Sequence, residues 1–148
     1  MNKNDIVYTP REFSKKIIDY FKPTGLCLDP CKGDGAFYDY LPEPKDWCEI
    51  RAGKDFYKYD KKVDWIISNP PFSEYDNFLK KSFEISDNVC YIIPLYKVYK
   101  SLKQQKLVDD YGGLKEVLII GSGSKLNFNF GFLCGIVYYQ KNYKGLIK

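Results

Sequence analysis

Apolar positions along this chain fall into short blocks that switch between the helical and the strand period. Phe13, Ile17 and Phe21 recur every four residues as one helical face. Thr9 is placed to cap that helix, with Pro10 at its first position, Glu12 completing a capping box and Pro23 stopping it. Residues 25–29 read as a short buried strand that runs into the glycine-rich turn Pro30-Cys-Lys-Gly-Asp-Gly35. Residues 36–41 predict a short helix and residues 47–50 a second strand. Residues 63–68 form a third, clear strand, ended by Asn69-Pro70-Pro71, because no central strand continues through two prolines.

Beyond the prolines, Tyr75, Phe78, Leu79 and Phe83 give residues 74–85 helical spacing. Residues 88–93 predict a strand, and residues 95–110 one helix with Leu95, Val98 and Leu102 on one side. Residues 116–120 and 132–139 are the last two strands, joined by a loop rich in Gly, Ser and Asn. Strands alternate with helices until two strands follow each other directly. That order predicts an open α/β sheet, mostly parallel, finished by an antiparallel hairpin. In such sheets ligands sit beyond the carboxyl ends of the strands, where the segments 29–35 and 69–72 both lie.

The length of 148 residues suits one domain with a real core, and 45% apolar against 28% charged residues is an ordinary globular balance. No apolar run approaches the ~18 residues of a membrane span. No apolar segment follows the first five residues, so no secretory signal is expected and the reading is cytoplasmic. The absence of histidine removes Ser-His-Asp triads, Cys-His pairs and His-ligated metals. Five cysteines, at 27, 31, 48, 90 and 134, contain no Cys-x-x-Cys pair and sit mostly among apolar neighbours, so free buried thiols are expected and no metal site. The net charge of +4 is compatible with a polyanionic partner without requiring one. Aromatics, at 18%, exceed what a core of this size needs and leave stacking surfaces to spare.

Gly33 and Gly35 let the backbone of the first turn approach a ligand closely. A dinucleotide fingerprint would want glycine where Tyr38 stands, and no Gly-Lys-Ser/Thr follows, so a phosphate loop is the weaker reading. Asp29, a carboxylate at a strand end above that turn, suits a cationic group. Glu49, twenty residues on, is placed to accept from ribose hydroxyls, and Asp55, followed by Phe56, to accept from an adenine amino group. The loop thus reads as recognition of a nucleoside with an ammonium-bearing tail. An ordinary strand-to-helix turn with solvated acids is the plainer alternative.

Asn69-Pro70-Pro71-Phe72 is sharper. Two prolines fix the backbone and remove two amide donors, leaving the Asn69 side-chain oxygen and the Pro70 carbonyl as paired acceptors. Two such acceptors can hold a planar –NH₂ group and turn its nitrogen lone pair toward an electrophile, while Phe72 offers a face for a base. Asn-Pro is also a common turn dipeptide.

Taken together, Asp29-Pro-Cys-Lys-Gly-Asp-Gly-Ala-Phe37 and Asn69-Pro-Pro-Phe72 resemble the class I S-adenosyl-L-methionine-dependent methyltransferases that modify exocyclic amino groups, chiefly the adenine-N6 DNA methyltransferases. The resemblance implies a Rossmann-like sheet over residues 1–148 as a single catalytic domain. It implies catalytic roles for Asn69, Pro70, Pro71 and Phe72. It further implies cofactor contacts from Asp29, Pro30, Cys31, Gly33 and Gly35, from Glu49 and Ile50 at the ribose, from Asp55 and Phe56 at the adenine, and from Tyr8, Thr9 and Pro10 at the methionine end. DNA is the implied partner. Relatives with the same motif modify RNA bases or a protein glutamine, and a catalytically silent subunit that binds cofactor or nucleic acid is a further alternative. No region is left over for a separate target-recognition domain, which points to a specificity subunit. Lys97, Lys100, Lys103 and Lys106 fan around one helix as a solvated face. The loop around Phe128 and Phe130 either stacks a base or tucks its rings into the core.

Overall fold

The computed structural model describes residues 9–126 and 131–145. Helices α1 (Arg11–Phe21), α2 (Tyr75–Ile85) and α3 (Leu102–Tyr111) accompany strands β1 (Cys27–Asp29), β2 (Lys45–Trp47), β3 (Val63–Ser68), β4 (Ser86–Pro94), β5 (Gly112–Ser122) and β6 (Leu133–Lys141). The strands make one sheet in the order β2-β1-β3-β4-β6-β5. β2, β1, β3 and β4 run parallel, and β6 lies antiparallel between β4 and β5. The chain is therefore α/β, with a mostly parallel sheet closed by an antiparallel hairpin, as the element order predicts.

Both faces of the sheet are covered, which is why its central strands are apolar without alternation. Ile66 and Ile67 of β3 and residues 89–93 of β4 are fully buried. Adjacent residues point to opposite faces, and Tyr138 and Tyr139 divide the core accordingly. Tyr138 stacks on Trp65 (5.3 Å between centroids) and meets Phe21 of α1 edge-on at 5.3 Å. Tyr139 meets Phe83 of α2 at 5.4 Å, and Phe83 stacks on Tyr111 of α3 at 4.0 Å. The buried hydroxyls on this second face pair with each other or with serine: Tyr75 with Tyr139 at 2.8 Å, and Ser82 with Tyr91 at 2.6 Å. Much of the aromatic excess is thus core.

Several boundaries differ from the sequence reading. Pro10, not Thr9, holds the N-cap position of α1, and no side chain caps it. The helix ends at Lys22, whose left-handed backbone (φ 50°) lets its amide bond the Ile18 carbonyl. Residues 36–41 make only a 3-10 turn, Tyr38–Tyr40. β2 begins and ends earlier than expected, because the Glu49 side chain accepts from the Arg51 amide and starts a 3-10 turn, Ile50–Ala52. The single helix expected over 95–110 is two pieces. A 3-10 turn, Leu95–Lys97, precedes α3, and between them Ser101 adopts an extended backbone and accepts from the Gln104 amide. Leu102 consequently faces solvent, 89% exposed, instead of joining Leu95 and Val98. β5 is an edge strand that leaves Ile119 67% exposed. Cys27, Cys48, Cys90 and Cys134 are buried free thiols, and Cys31 is half-buried. Tyr8, Phe128 and Phe130 lie outside the described residues. Among the described residues no helix is long and apolar enough to cross a membrane.

The Ser101 cap makes α3 an independent start, so its loss should be measurable. Ser101→Ala is expected to lower stability by about 1 kcal/mol, the usual worth of an N-cap, and Ser101→Asp to retain it. The check is a urea midpoint that falls in the first variant with an unchanged slope.

Candidate functional site

β1 and β3 are neighbours in the sheet, and each ends on a polar residue at the carboxyl edge: Asp29 and Ser68. Asp29 is 1% exposed. Its Oδ1 accepts from Ser68 Oγ (2.5 Å) and from the Cys31 amide (3.0 Å). Its Oδ2 is buried and makes no well-formed hydrogen bond, although the Tyr38 backbone amide also acts on this carboxyl. Burial pushes this carboxyl up to about 7, although bonds from Ser68 and from the Cys31 and Tyr38 amides pull the other way. A buried acceptor without a donor costs about 1–3 kcal/mol, so the atom marks a place where a donor belongs.

The turn after Asp29 is held open by its glycines. Gly33 and Gly35 adopt φ of 56° and 90°. A Cβ at Gly35 would lie 2.9 Å from Asp39 Oδ1. The turn is pinned from three sides. The Lys32 amide donates to the Cys48 carbonyl (2.9 Å) and the Gly33 amide to Glu49 Oε1 (3.1 Å). The Lys32 ammonium sits over the Trp47 ring, 4.5 Å from its centroid, and 5.1 Å from that of Tyr38, a cation–π contact that gives this loop lysine a structural role. From above, Arg11 of α1 donates to the Asp34 carbonyl (2.8 Å) and the Asp39 carboxylate (2.7 Å), and Ser14 Oγ to the Ala36 carbonyl (2.5 Å).

Glu49 is engaged from within the chain. Its carboxylate accepts from the Arg51 amide (2.9 Å) and the Gly33 amide, with the Arg51 guanidinium 3.4 Å away. Burial alone would raise this carboxyl, but the bonds from Arg51 and Gly33 hold it below the usual range. Asp55 caps the next turn, Phe56–Lys58, by accepting from the Tyr57 amide at 2.9 Å. Phe56 is turned into the core against Phe78, at 5.0 Å, and Ile50 faces outward, 54% exposed.

Asn69 follows Ser68 directly. Its Nδ2 donates to Thr9 Oγ1 at 3.0 Å, which orients the amide and explains why Thr9 does not cap α1. Thr9 is buried, as are Pro70 and Pro71. Phe72 is 6% exposed and opens a 3-10 turn that leads into α2. Ser68 and Asn69 therefore connect the two segments singled out in the sequence: one bonds Asp29, the other the stretch before α1. Ser68 and Arg51 escaped the sequence reading. The signal for Ser68 was its place, a polar residue ending an apolar strand; for Arg51 it was a base two residues after a strand-end acid. Among the described residues no cluster of Cys, Asp and Glu is arranged to hold a metal.

No family model and no curated protein matches the sequence. Solved structures do. The 23S rRNA methyltransferase ErmE superposes with a TM-score of 0.70 at 11% identity, over 96% of this chain and 72% of that one. A Pyrococcus horikoshii protein described as an RNA methyltransferase gives a TM-score of 0.63 at 18% identity, over 88% and 82%. The type I restriction-modification methyltransferase subunit of Streptococcus thermophilus gives 0.68 at 13% identity, over 97% of this chain and 46% of that one. The chain thus has the Rossmann-like fold that these methyltransferases share.

The raised Asp29 carboxyl has a consequence for the free protein. Between its unfolded value of 3.8 and its folded value of about 7, the native state binds a proton that the unfolded state has lost. Stability should therefore fall as pH rises through that window. Asp29→Asn is expected to flatten this part of the profile, as measured by urea unfolding at intervals from pH 5 to pH 8.

Proposed function

We propose that this chain is an S-adenosyl-L-methionine-dependent methyltransferase acting on an exocyclic amino group, with adenine N6 in DNA as its target. The observation that carries the reading is the Oδ2 of Asp29, buried without a well-formed hydrogen bond at a strand end, one hydrogen bond from the residue that precedes Asn69. A buried carboxylate oxygen lacking a well-formed hydrogen bond fits the ammonium of the cofactor's methionine end. The glycine turn beside it, with no Cβ at residues 33 and 35, fits close passage of that tail past Pro30 and Cys31. In this reading Tyr8, Thr9 and Pro10 cover the methionine end. Glu49 and Ile50 meet the ribose, with Glu49 sharing its remaining acceptor capacity between Arg51 and the sugar, and Asp55 and Phe56 bound the adenine.

When bound, the cofactor supplies a methyl group on a sulfonium sulfur, already activated for displacement. The protein's task is then orientation, which can be worth about 7–11 kcal/mol. Asn69 Oδ1 and the Pro70 carbonyl accept the two N–H bonds of the target amine, and Pro71 fixes the backbone that carries them. With a methyl group passing from sulfur to the amine, positive charge would grow on nitrogen and the two hydrogen bonds held by Asn69 and Pro70 would strengthen, stabilising the transition state over the ground state. The surplus proton leaves to solvent, so no histidine is needed. Thr9 orients the Asn69 amide through its nitrogen, so that the oxygen serves as the acceptor. A duplex base must leave its stack to arrive here, and Phe72 meets it with the small part of its ring that is accessible.

Two of the similar structures are named as methyltransferases of RNA, and this supports an RNA base as the second reading. The third is a subunit of a type I restriction-modification system, which supports DNA and a specificity subunit as partners. The deciding experiment offers radiolabelled S-adenosyl-L-methionine with single-stranded DNA, duplex DNA and RNA in separate reactions; label in RNA alone would replace the first reading by the second.

Two outcomes follow from the geometry. Asn69→Ala should cost about 10²–10³ in turnover, by analogy with loss of one transition-state hydrogen-bond partner, while calorimetric affinity for the cofactor stays nearly unchanged. Full turnover in that variant would dismiss the chemistry. Cofactor affinity should rise with pH by up to about tenfold per unit below pH 7 and level off above, since only the ionised Asp29 attracts an ammonium. Asp29→Asn should weaken binding and remove this dependence.

A further inference from the structure

The interruption at Ser101 rearranges the lysines that sequence spacing scatters around one helix. Lys97 and Lys100 belong to the turn before α3, and Lys103 and Lys106 to α3 itself. Together with Lys80 of α2 they line one groove of about 550 Å³ between α2 and α3, whose lining includes Phe72. The groove therefore reaches the last residue of the Asn69-Pro-Pro-Phe72 segment.

Its floor is organised by Gln104, only 2% exposed. The Gln104 Nε2 donates to Asp76 Oδ1 and to the Lys97 carbonyl, both at 2.8 Å, and its Oε1 accepts from the Lys100 amide at 3.2 Å. One buried amide thus ties the lysine-bearing turn to α2 and α3 and fixes the backbone from which Lys97 and Lys100 project. The carboxylates of the same walls are engaged: Asp76 by Gln104, Asp110 by Lys106 at 3.2 Å, and Glu74 by the Tyr57 hydroxyl at 3.0 Å. Lys80, Lys100 and Lys103 have no ion-pair partner among the described residues.

We infer that this groove holds the phosphate backbone of the DNA strand that delivers the target base. The inference rests on the proposed methyltransferase reading and adds to it the path of the strand. Five lysines against the carboxylates of Glu74, Asp76 and Asp110 leave the groove net positive, with Lys80, Lys100 and Lys103 outside any ion pair among the described residues. A strand whose base enters beside Phe72 would carry its flanking phosphates along it. Lysine contacts of this kind position a strand without reading its sequence. The substrate side is thereby supplied with attraction by α2 and α3, on the sheet face opposite α1.

The test is the salt dependence of binding to a fluorescent single-stranded DNA oligonucleotide, with no methyl transfer involved. Replacing Lys80, Lys100 and Lys103 together by alanine should lower the slope of log affinity against log salt by about 2, at about 0.7 for each phosphate no longer neutralised, and weaken binding roughly tenfold or more at low salt. Calorimetric cofactor affinity should not change, and methylation should suffer through KM rather than kcat. A charge-matched control, Lys15→Ala, Lys16→Ala and Lys22→Asn on α1, should leave the slope within about 0.7 of the parent's. Equal slopes for parent and groove variant would overturn the inference, as would a control that falls as far as the groove variant. Tighter binding of the parent to RNA of the same sequence, or an equal drop in affinity for a polyglutamate peptide, would overturn the assignment to DNA phosphates. If the groove variant behaves as expected but no substrate accepts a methyl group, the enzymatic reading fails and the groove stands.

Discussion

A carboxyl group buried at the end of β1 is the constraint around which the rest of this site is built. Asp29 can occupy that position only because Ser68 and the Cys31 amide satisfy one of its oxygens. Both donors are placed by the fold: Ser68 by parallel pairing of β3 with β1, Cys31 by the immediate turn into the glycine loop. The second oxygen is left without a well-formed hydrogen bond, a cost of order 1–3 kcal/mol that an apolar side chain would avoid. Folds keep such costs at places where a ligand offsets them. The same constraint explains the surrounding rigidity, since a turn free to move would let water reach Asp29 and satisfy it.

The parts legible in the sequence were those governed by local or one-dimensional rules. The apolar runs of β3 and β4 declare strands buried on both faces, and Asn69-Pro70-Pro71 declares where β3 must stop. Asp29 and the positive-φ glycines stand out because few residue types can do what those positions require. What escaped depends on partners distant in sequence. Thr9 looks like an ideal cap, yet its hydroxyl serves Asn69, sixty residues away, and a pattern of neighbours cannot report that. The second strand is expected at residues 47–50 but runs over the half-buried edge Lys45–Trp47, where no apolar run marks its start. The break before α3 was hidden because residues 95–110 keep helical spacing on both sides of it. Only the bond from the Gln104 amide to the Ser101 hydroxyl decides that the helix restarts.

The aromatic surplus shows the same limit from the other side. Composition suggested rings to spare for stacking, but Tyr75, Tyr91, Tyr111, Tyr138 and Tyr139 are all buried, and their hydroxyls have partners within the chain. These tyrosines let a small sheet bury large side chains on both faces without stranding a polar atom. Rings do remain outside, notably Tyr96 and Phe132, which meet edge-on at 5.0 Å near the carboxyl end of β4.

The division between inside and outside also explains how one fold serves different targets. Asp29, Gly33, Glu49 and Asn69 are held by hydrogen bonds among mostly buried or half-buried groups, so their geometry tolerates little change. Lys80, Lys100, Lys103 and Lys106, with Tyr96 and Phe132, sit on exposed positions where substitution costs the fold little. Structures at 11–18% identity that keep this sheet while bearing the names of rRNA, RNA and restriction-modification methyltransferases are what that division leads one to expect.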